Sequence, residues 1–314
     1  KATGVAISSA NEPSKSGKMN LLQARREVVL AAGAIGSPAL LKRSGLEVSP
    51  LQDQADIRVA WPCKGCSYMK SLVAEMKNAA GNSHIILPTT EMTLANYGDY
   101  GILVDYKGSP LLITASTERV PESDCFPDYG SASVGGDLLV AHVVLLQPKG
   151  FKGEVTADGD LDLEFRLSDP ADIDAAVWGV QLVRRAVDSI ARADGEGRLN
   201  ATLAEKLQLE KELWPGEQAK EDQALAAFLQ KGAVWSFQSA SSSCALGPVL
   251  DGELRVKGVQ GLRVADASVL PRPPPYGRPL FATLAAAEVA SKLLRKDFEA
   301  SARGTVRNAI SPYS

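Results

Sequence analysis

The chain has 314 residues, a formal net charge of −3, 45% hydrophobic and 23% charged residues, the balance of a globular protein long enough for more than one lobe. Mild acidity without any run of basic residues excludes a nucleic-acid surface. The longest apolar stretch, "LLVAHVVLL" from Leu138, is far short of the roughly 20 residues that cross a bilayer, so no transmembrane segment is expected.

In chain order, "ATGVAI" reads as a strand, "SSANEPSKSGK" as a polar hairpin or loop and "REVVLAAG" as a second strand. "SPALLKRSG" follows as a helix, with Ser37 as its N-cap, Pro38 at the first helical position and Gly45 as its stop. From about residue 51 the texture turns to β-rich runs, "GILVDY", "PLLITAS" and "LLVAHVVLL", which predict one largely antiparallel sheet. "DPADIDAAVWGVQLVRRAVDSIARA" carries apolar residues at helical spacing behind an Asp-Pro start. "ATLAEKLQLEKELW" and "KEDQALAAFLQKG" predict two more helices. "LRVKGVQGLRVADASVLP" reads as a tight hairpin, "FATLAAAEVASKLLRK" as a small-residue helix, and the tail after about 299 as polar and mobile. The expected fold class is α/β (α+β).

Cys63 and Cys66 in "WPCKGCSYM" admit a redox dithiol or half a zinc site on one side, and ordinary thiols or a disulfide on the other. Zinc lacks a second paired spacing among Cys125, Cys244, His84 and His142, so no metal is expected. A thioredoxin-type site wants Trp directly before the first Cys, and Pro62 intervenes. His142, inside an apolar strand, and His84 read as satisfied core or interface groups. The serine run 239–243 has no G-x-S-x-G elbow and reads as a turn with local side-chain hydrogen bonds.

Two longer stretches carry a resemblance. "VVLAAGAIGSPALLKRSGL" is similar to the second signature of the glucose–methanol–choline (GMC) family of FAD-dependent oxidoreductases, and "CALGPVLDGELRVKGVQGLRVADASVLP" to its C-terminal motif. Between them, "LLQPKGFKGEVT" and "FRLSDPADIDAAVWGVQLVRRAV" resemble the substrate lobe. The likeness runs from residue 1 to about 296, with algal fatty acid photodecarboxylases as a neighbouring group. It implies an FAD-lobe segment over 1–50, a substrate-type lobe over 51–232, a return to the FAD lobe over 233–298 and a tail over 299–314. It also implies that Ala32, Gly33 and Ala34 pass close to FAD and that Asp266, Ala267 and Ser268 form a second flavin-facing strand end. Asp266 would lie near the ribityl chain or pyrophosphate. The rival reading of these small residues is close strand–helix packing.

The departures bear on function. No G-x-G-x-x-G dinucleotide fingerprint occurs, so by resemblance FAD is not held by this chain alone, and an N-terminal half would be absent. The family's catalytic histidine falls at Gln238-Ser239, and its Asn or His partner at Leu280 or a neighbour; neither position offers a group that titrates near neutrality. A flavin-covering loop is compressed to "SGLEVSPLQDQ". Arg272 and Arg278 read as solvated loop charges or as binders of an acid. The expectation is a non-catalytic structural or binding subunit, with a protein partner over the surface left by the absent half, in an intracellular or organellar setting. The alternative is the C-terminal half of an active oxidoreductase or photodecarboxylase-like enzyme.

Overall fold

The computed structural model describes residues 1–7, 20–63, 85–88, 100–120, 136–163, 166–191, 209–275 and 279–309. The elements are β1 (Gly4–Ile7), β2 (Asn20–Gln23), β3 (Val28–Leu30), α1 (Gly33–Arg43), β4 (Leu51–Gln52), β5 (Ala55–Cys63), β6 (Ile85–Pro88), β7 (Tyr100–Tyr106), β8 (Ser109–Val120) and β9 (Gly136–Leu145). They continue with β10 (Lys152–Val155), β11 (Leu161–Leu163), α2 (Pro170–Ala191), α3 (Asp222–Gln230), β12 (Trp235–Ser236), β13 (Leu262–Val264) and α4 (Leu280–Ala309).

The β-rich runs form the expected antiparallel sheet, in the order β12-β5-β9-β8-β7-β6. β9 is apolar at almost every position because it lies in the middle of the sheet and is buried on both faces. On one face Ile57, Val59, Ile113, Val143 and Leu145 pack against Val180 and Val183 of α2, the centre of the larger core. Gly179 sets that packing distance: a Cβ there would stand 2.4 Å from Val143 Cγ1, so only glycine lets the helix come this near. The Asp-Pro start behaves as its chemistry demands. Asp169 Oδ1 accepts the Ala171 N–H at 2.8 Å, and Pro170 takes the first helical position, where its missing N–H leaves no bond unmade.

β3 pairs in parallel with β13, Val28 beside Leu262 and Leu30 beside Val264, and α1 follows β3 directly. A parallel pair with a helix after its first strand is an α/β unit. Its core joins Leu41, Cys244, Leu250, Val256, Val264 and Ala290. Arg263, 1% exposed, ties α4 to this pair through Glu27 at 2.9 Å and through Asp297. The protein is thus a mixed α/β fold.

Three expectations change. α1 begins at Gly33, four residues before Ser37, so Pro38 lies inside the helix. Residues 209–214 are extended where a helix was expected: Leu209 bridges Cys63 and Trp214 bridges Ala60. There the Trp214 ring meets Phe228 and Trp235 edge-on at 4.9 and 5.8 Å, burial that outweighs helical propensity. The chain expected to be a mobile tail continues α4 to Ala309, with no proline to interrupt it. The expected loop over 8–18 and the first part of the expected helix, 201–208, lie outside the described residues. Val5, Ile7, Leu21, Leu22 and Val29 of β1–β3 are exposed, as are Leu280, Phe281, Leu284, Val289 and Phe298 of α4.

Candidate functional site

The segments singled out in the sequence meet around the first turn of α1. Gly33 adopts φ +80°, and a Cβ on it would meet nothing within 4 Å, so the turn opens to space. Asp266 reaches this turn from the other end of the chain. Its Oδ2 accepts the Gly33 N–H at 2.9 Å and the Ser37 hydroxyl at 2.5 Å; its Oδ1 accepts the N–H and hydroxyl of Ser268 at 2.9 and 2.5 Å. An ionised carboxylate has about four acceptor sites, and all are filled from within the protein. The Asp266 side chain therefore clamps α1 to the 3-10 turn Ala267–Val269 and has no acceptor left for a ligand hydroxyl.

Pro38 has a further consequence. It cannot donate to the carbonyl of Ala34, its partner four residues back, and that carbonyl instead accepts the Ser243 hydroxyl at 2.5 Å. The serine run is thereby tied to α1. Gln238 and Ser242 adopt φ +57° and +72°, the left-handed region. Ser239 is fully buried and its N–H donates to Asp53 Oδ1 at 2.8 Å. Asp53 also accepts the Gln54 N–H and, through Oδ2, the Ser236 hydroxyl. Burial pushes the Asp53 carboxyl up, against these three hydrogen bonds. Leu280 opens α4 with its side chain 45% exposed.

Sequence reasoning missed Asp53 in this role; in a second cluster it read His142 as a satisfied core or interface group but missed its partner Asp56 and the neighbouring Arg58. Asp56 accepts from Arg58 Nε at 3.0 Å and faces His142 Nδ1 at 3.0 Å, with Asp56 and His142 each 1% exposed. Burial would push Asp56 up, but His142 and Arg58 hold it below the usual carboxylate range. The Arg58 guanidinium also lies 5.0 Å from the Trp235 ring. The available signal was the alternation Asp56, Arg58 on the otherwise apolar strand "ADIRVAW".

The thiols offer no reactive centre among the described residues. Cys63 is disulfide-bonded, and burial pushes the Cys244 thiol up to about 12. Cys66, His84 and Arg278 lie outside the described residues, and Arg272 is exposed. Among the described residues no three His, Cys, Asp or Glu side chains gather as a metal site, and no helix is long and apolar enough to cross a membrane.

Two family models, both described as GMC oxidoreductase, match residues 1–53 and 152–287. Dehydrogenase pkfF of Emericella nidulans is 27% identical over 93% of this chain and 53% of its own. An oxygen-dependent choline dehydrogenase of Paraburkholderia phymatum is 27% identical over 79% of this chain and 46% of its own. The chloroplastic fatty acid photodecarboxylase of Chlamydomonas reinhardtii is 33% identical over 53% of this chain and 26% of its own. Formate oxidase, a solved structure at 19% identity, shares the fold with a TM-score of 0.60 over 95% of this chain and 58% of that one. The chain spans about half the length of the first two relatives.

Proposed function

Because the chain belongs to the GMC oxidoreductase family, we propose that it supplies part of an FAD-binding fold without the family's acid–base pair, as a non-catalytic structural or binding component. Residues 1–50 and 233–298 would form the flavin-facing lobe, 51–232 the substrate-type lobe and 299–314 the tail. The observation that carries this reading is the chemistry at Gln238, Ser239 and Leu280: an amide, a buried hydroxyl and an exposed alkyl group, none of which exchanges a proton near neutrality.

The residues at the turn fit FAD through their backbone. Gly33 leaves open space beside the first turn of α1; its own N–H and that of Ala32 are taken by Asp266 and Ser37, so the turn would offer a ligand close backbone approach rather than those two donors. In this reading Ala32, Gly33, Ala34 and Ala267 offer backbone contacts, while Asp266 and Ser268 hold the shape. A bound FAD would supply the electron-accepting ring; the dinucleotide fingerprint would come from polypeptide outside these 314 residues. The exposed apolar side chains of β1–β3 and α4 would receive that polypeptide.

Mixing the purified chain with a polypeptide that carries the fingerprint tests this. A flavin absorbance band in a joint gel-filtration peak is expected, without bleaching of the band by alcohols. Bleaching by an alcohol overturns the non-catalytic assignment. Asp53 favours a second reading, the C-terminal half of an active enzyme, because it is a buried carboxyl with a raised proton affinity bonded to Ser239. On that reading Asp53→Asn abolishes the bleaching.

A further inference from the structure

Two arginines stand side by side on α2 and have different fates. Arg184 is committed to the fold: it holds Glu212 through Nε at 2.9 Å and Nη2 at 2.7 Å, and its Nη1 donates to the carbonyls of Ala219 and Lys220. Arg185 is exposed and, among the described residues, has no partner. It lines a cleft of about 410 Å³ between α2, the end of β7 and the start of α3, a volume within the range of small-molecule sites. Glu221, just before α3, lines the same cleft, and among the described residues its carboxylate has no partner either. Opposite charges that border one cleft without meeting leave a gap that a ligand can bridge.

The other charges of the cleft are matched within the protein. Asp174 accepts from Lys107 Nζ at 2.7 Å, Asp222 Oδ1 accepts from Gln181 Nε2 at 2.8 Å, and Lys220 stands 3.8 Å from Glu217. Gln181 Nε2 also donates to the Lys220 carbonyl at 2.9 Å, so both amide hydrogens are used and Oε1 remains as an acceptor. The apolar part of the wall includes Val177 and the stacked rings of Tyr106 and Trp178, with centres 4.6 Å apart and planes at 23°.

The charges left over narrow the class of molecule. An anion would find Arg185 but stand beside Glu221 and Asp222; a cation would find Glu221 but stand beside Arg185 and Lys220. A molecule that carries both charges meets a partner for each. The guanidinium takes its carboxylate, and Glu221 with Gln181 Oε1 takes its ammonium. The Tyr106–Trp178 wall suits a flat apolar group on the same molecule.

We propose that this cleft binds a zwitterionic amino acid with an aromatic side chain, held by Arg185, Glu221 and Gln181. The site uses neither the Gly33 turn nor the serine run and needs no flavin, so its failure would leave the function proposed above untouched.

L-Phenylalanine titrated into the chain at low salt is expected to give saturable saturation-transfer NMR signals. Arg185→Gln and Glu221→Gln each weaken binding about tenfold or more, the worth of one charge-assisted hydrogen bond. Both positions are exposed, so the melting temperature is expected to stay the same. Lys152→Gln, an exposed change on β10 away from the cleft, leaves binding unaltered. Phenylpropionate lacks the ammonium, phenethylamine lacks the carboxylate and glycine lacks the ring; each is expected to bind about tenfold more weakly or worse. A linear response to phenylalanine, or binding unchanged in both Arg185→Gln and Glu221→Gln, overturns the proposal. Equal binding of phenylpropionate or phenethylamine overturns the assignment to a zwitterion, and equal binding of glycine overturns the aromatic class.

Discussion

Asp53 and Asp56 are neighbours on one stretch of chain and are 2% and 1% exposed, yet their carboxyls are driven in opposite directions. Asp53, at the serine turn, is held by two backbone N–H groups and one hydroxyl, and burial prevails over them. Asp56, on the sheet face, has a guanidinium and an imidazole, and these prevail over burial. Backbone and hydroxyl donors satisfy geometry without repaying the loss of water; the imidazole and guanidinium beside Asp56 reverse the balance. The serine turn thus rests on a carboxyl whose proton affinity burial raises, while the sheet face holds a carboxyl whose proton affinity is lowered.

The largest test of this contrast is Asp56→Asn, which leaves Arg58 and His142 without their anion and should cost on the order of 3 kcal/mol in urea unfolding at neutral pH. An unchanged midpoint would show that the cluster carries no stability. Arg58→Met removes one cation whose side chain is 17% exposed and should cost about 1–2 kcal/mol by the same measurement. It should also move the acid-side loss of stability to higher pH.

The pH dependence separates the pair by sign. Asp56 has a lowered folded pKa, so its contribution is present above the ordinary carboxyl value and is lost as pH falls through the lowered one. Asp53 has a raised folded pKa, so its contribution is full below the ordinary value and is lost as pH rises through the raised one. On either side of the ordinary carboxyl value, between the lowered and the raised one, the two oppose each other. Asp56→Asn should therefore gain stability on acidification relative to the wild type, and Asp53→Asn should lose it more steeply. The smallest effect is expected for Asp53→Asn at neutral pH, under about 1 kcal/mol. The amide oxygen still accepts from Ser239 and Gln54, and no charge has to be buried.

What the sequence disclosed follows the range of each interaction. α2 was legible because its start is local: Asp169 caps it and Pro170 opens it. The central strand of the sheet was legible from an apolar run interrupted only by His142 over Leu138–Leu145. The start of α1 was not, because the acceptor for its Gly33 N–H comes from Asp266, 233 residues away. Residues 209–214 carried a helical spacing, but Trp214 had a place beside Ala60 and Val140 that no window of sequence contains. At the candidate site Asp266 was found by its motif, yet its four protein donors were invisible, since each depends on where another segment ends. His142 was placed in a strand, and its partner Asp56 was missed because the two residues meet only through sheet register.

A proline inside a helix is usually counted as one bond fewer. In α1 the carbonyl that Pro38 leaves idle is taken up by Ser243, so the deficit in one segment becomes an anchor for another. The Gly33 turn and the serine run are thereby geared together. A molecule that rotates the first turn of α1 must also pull on residues 239–243, and a substitution in that run will be felt at Gly33.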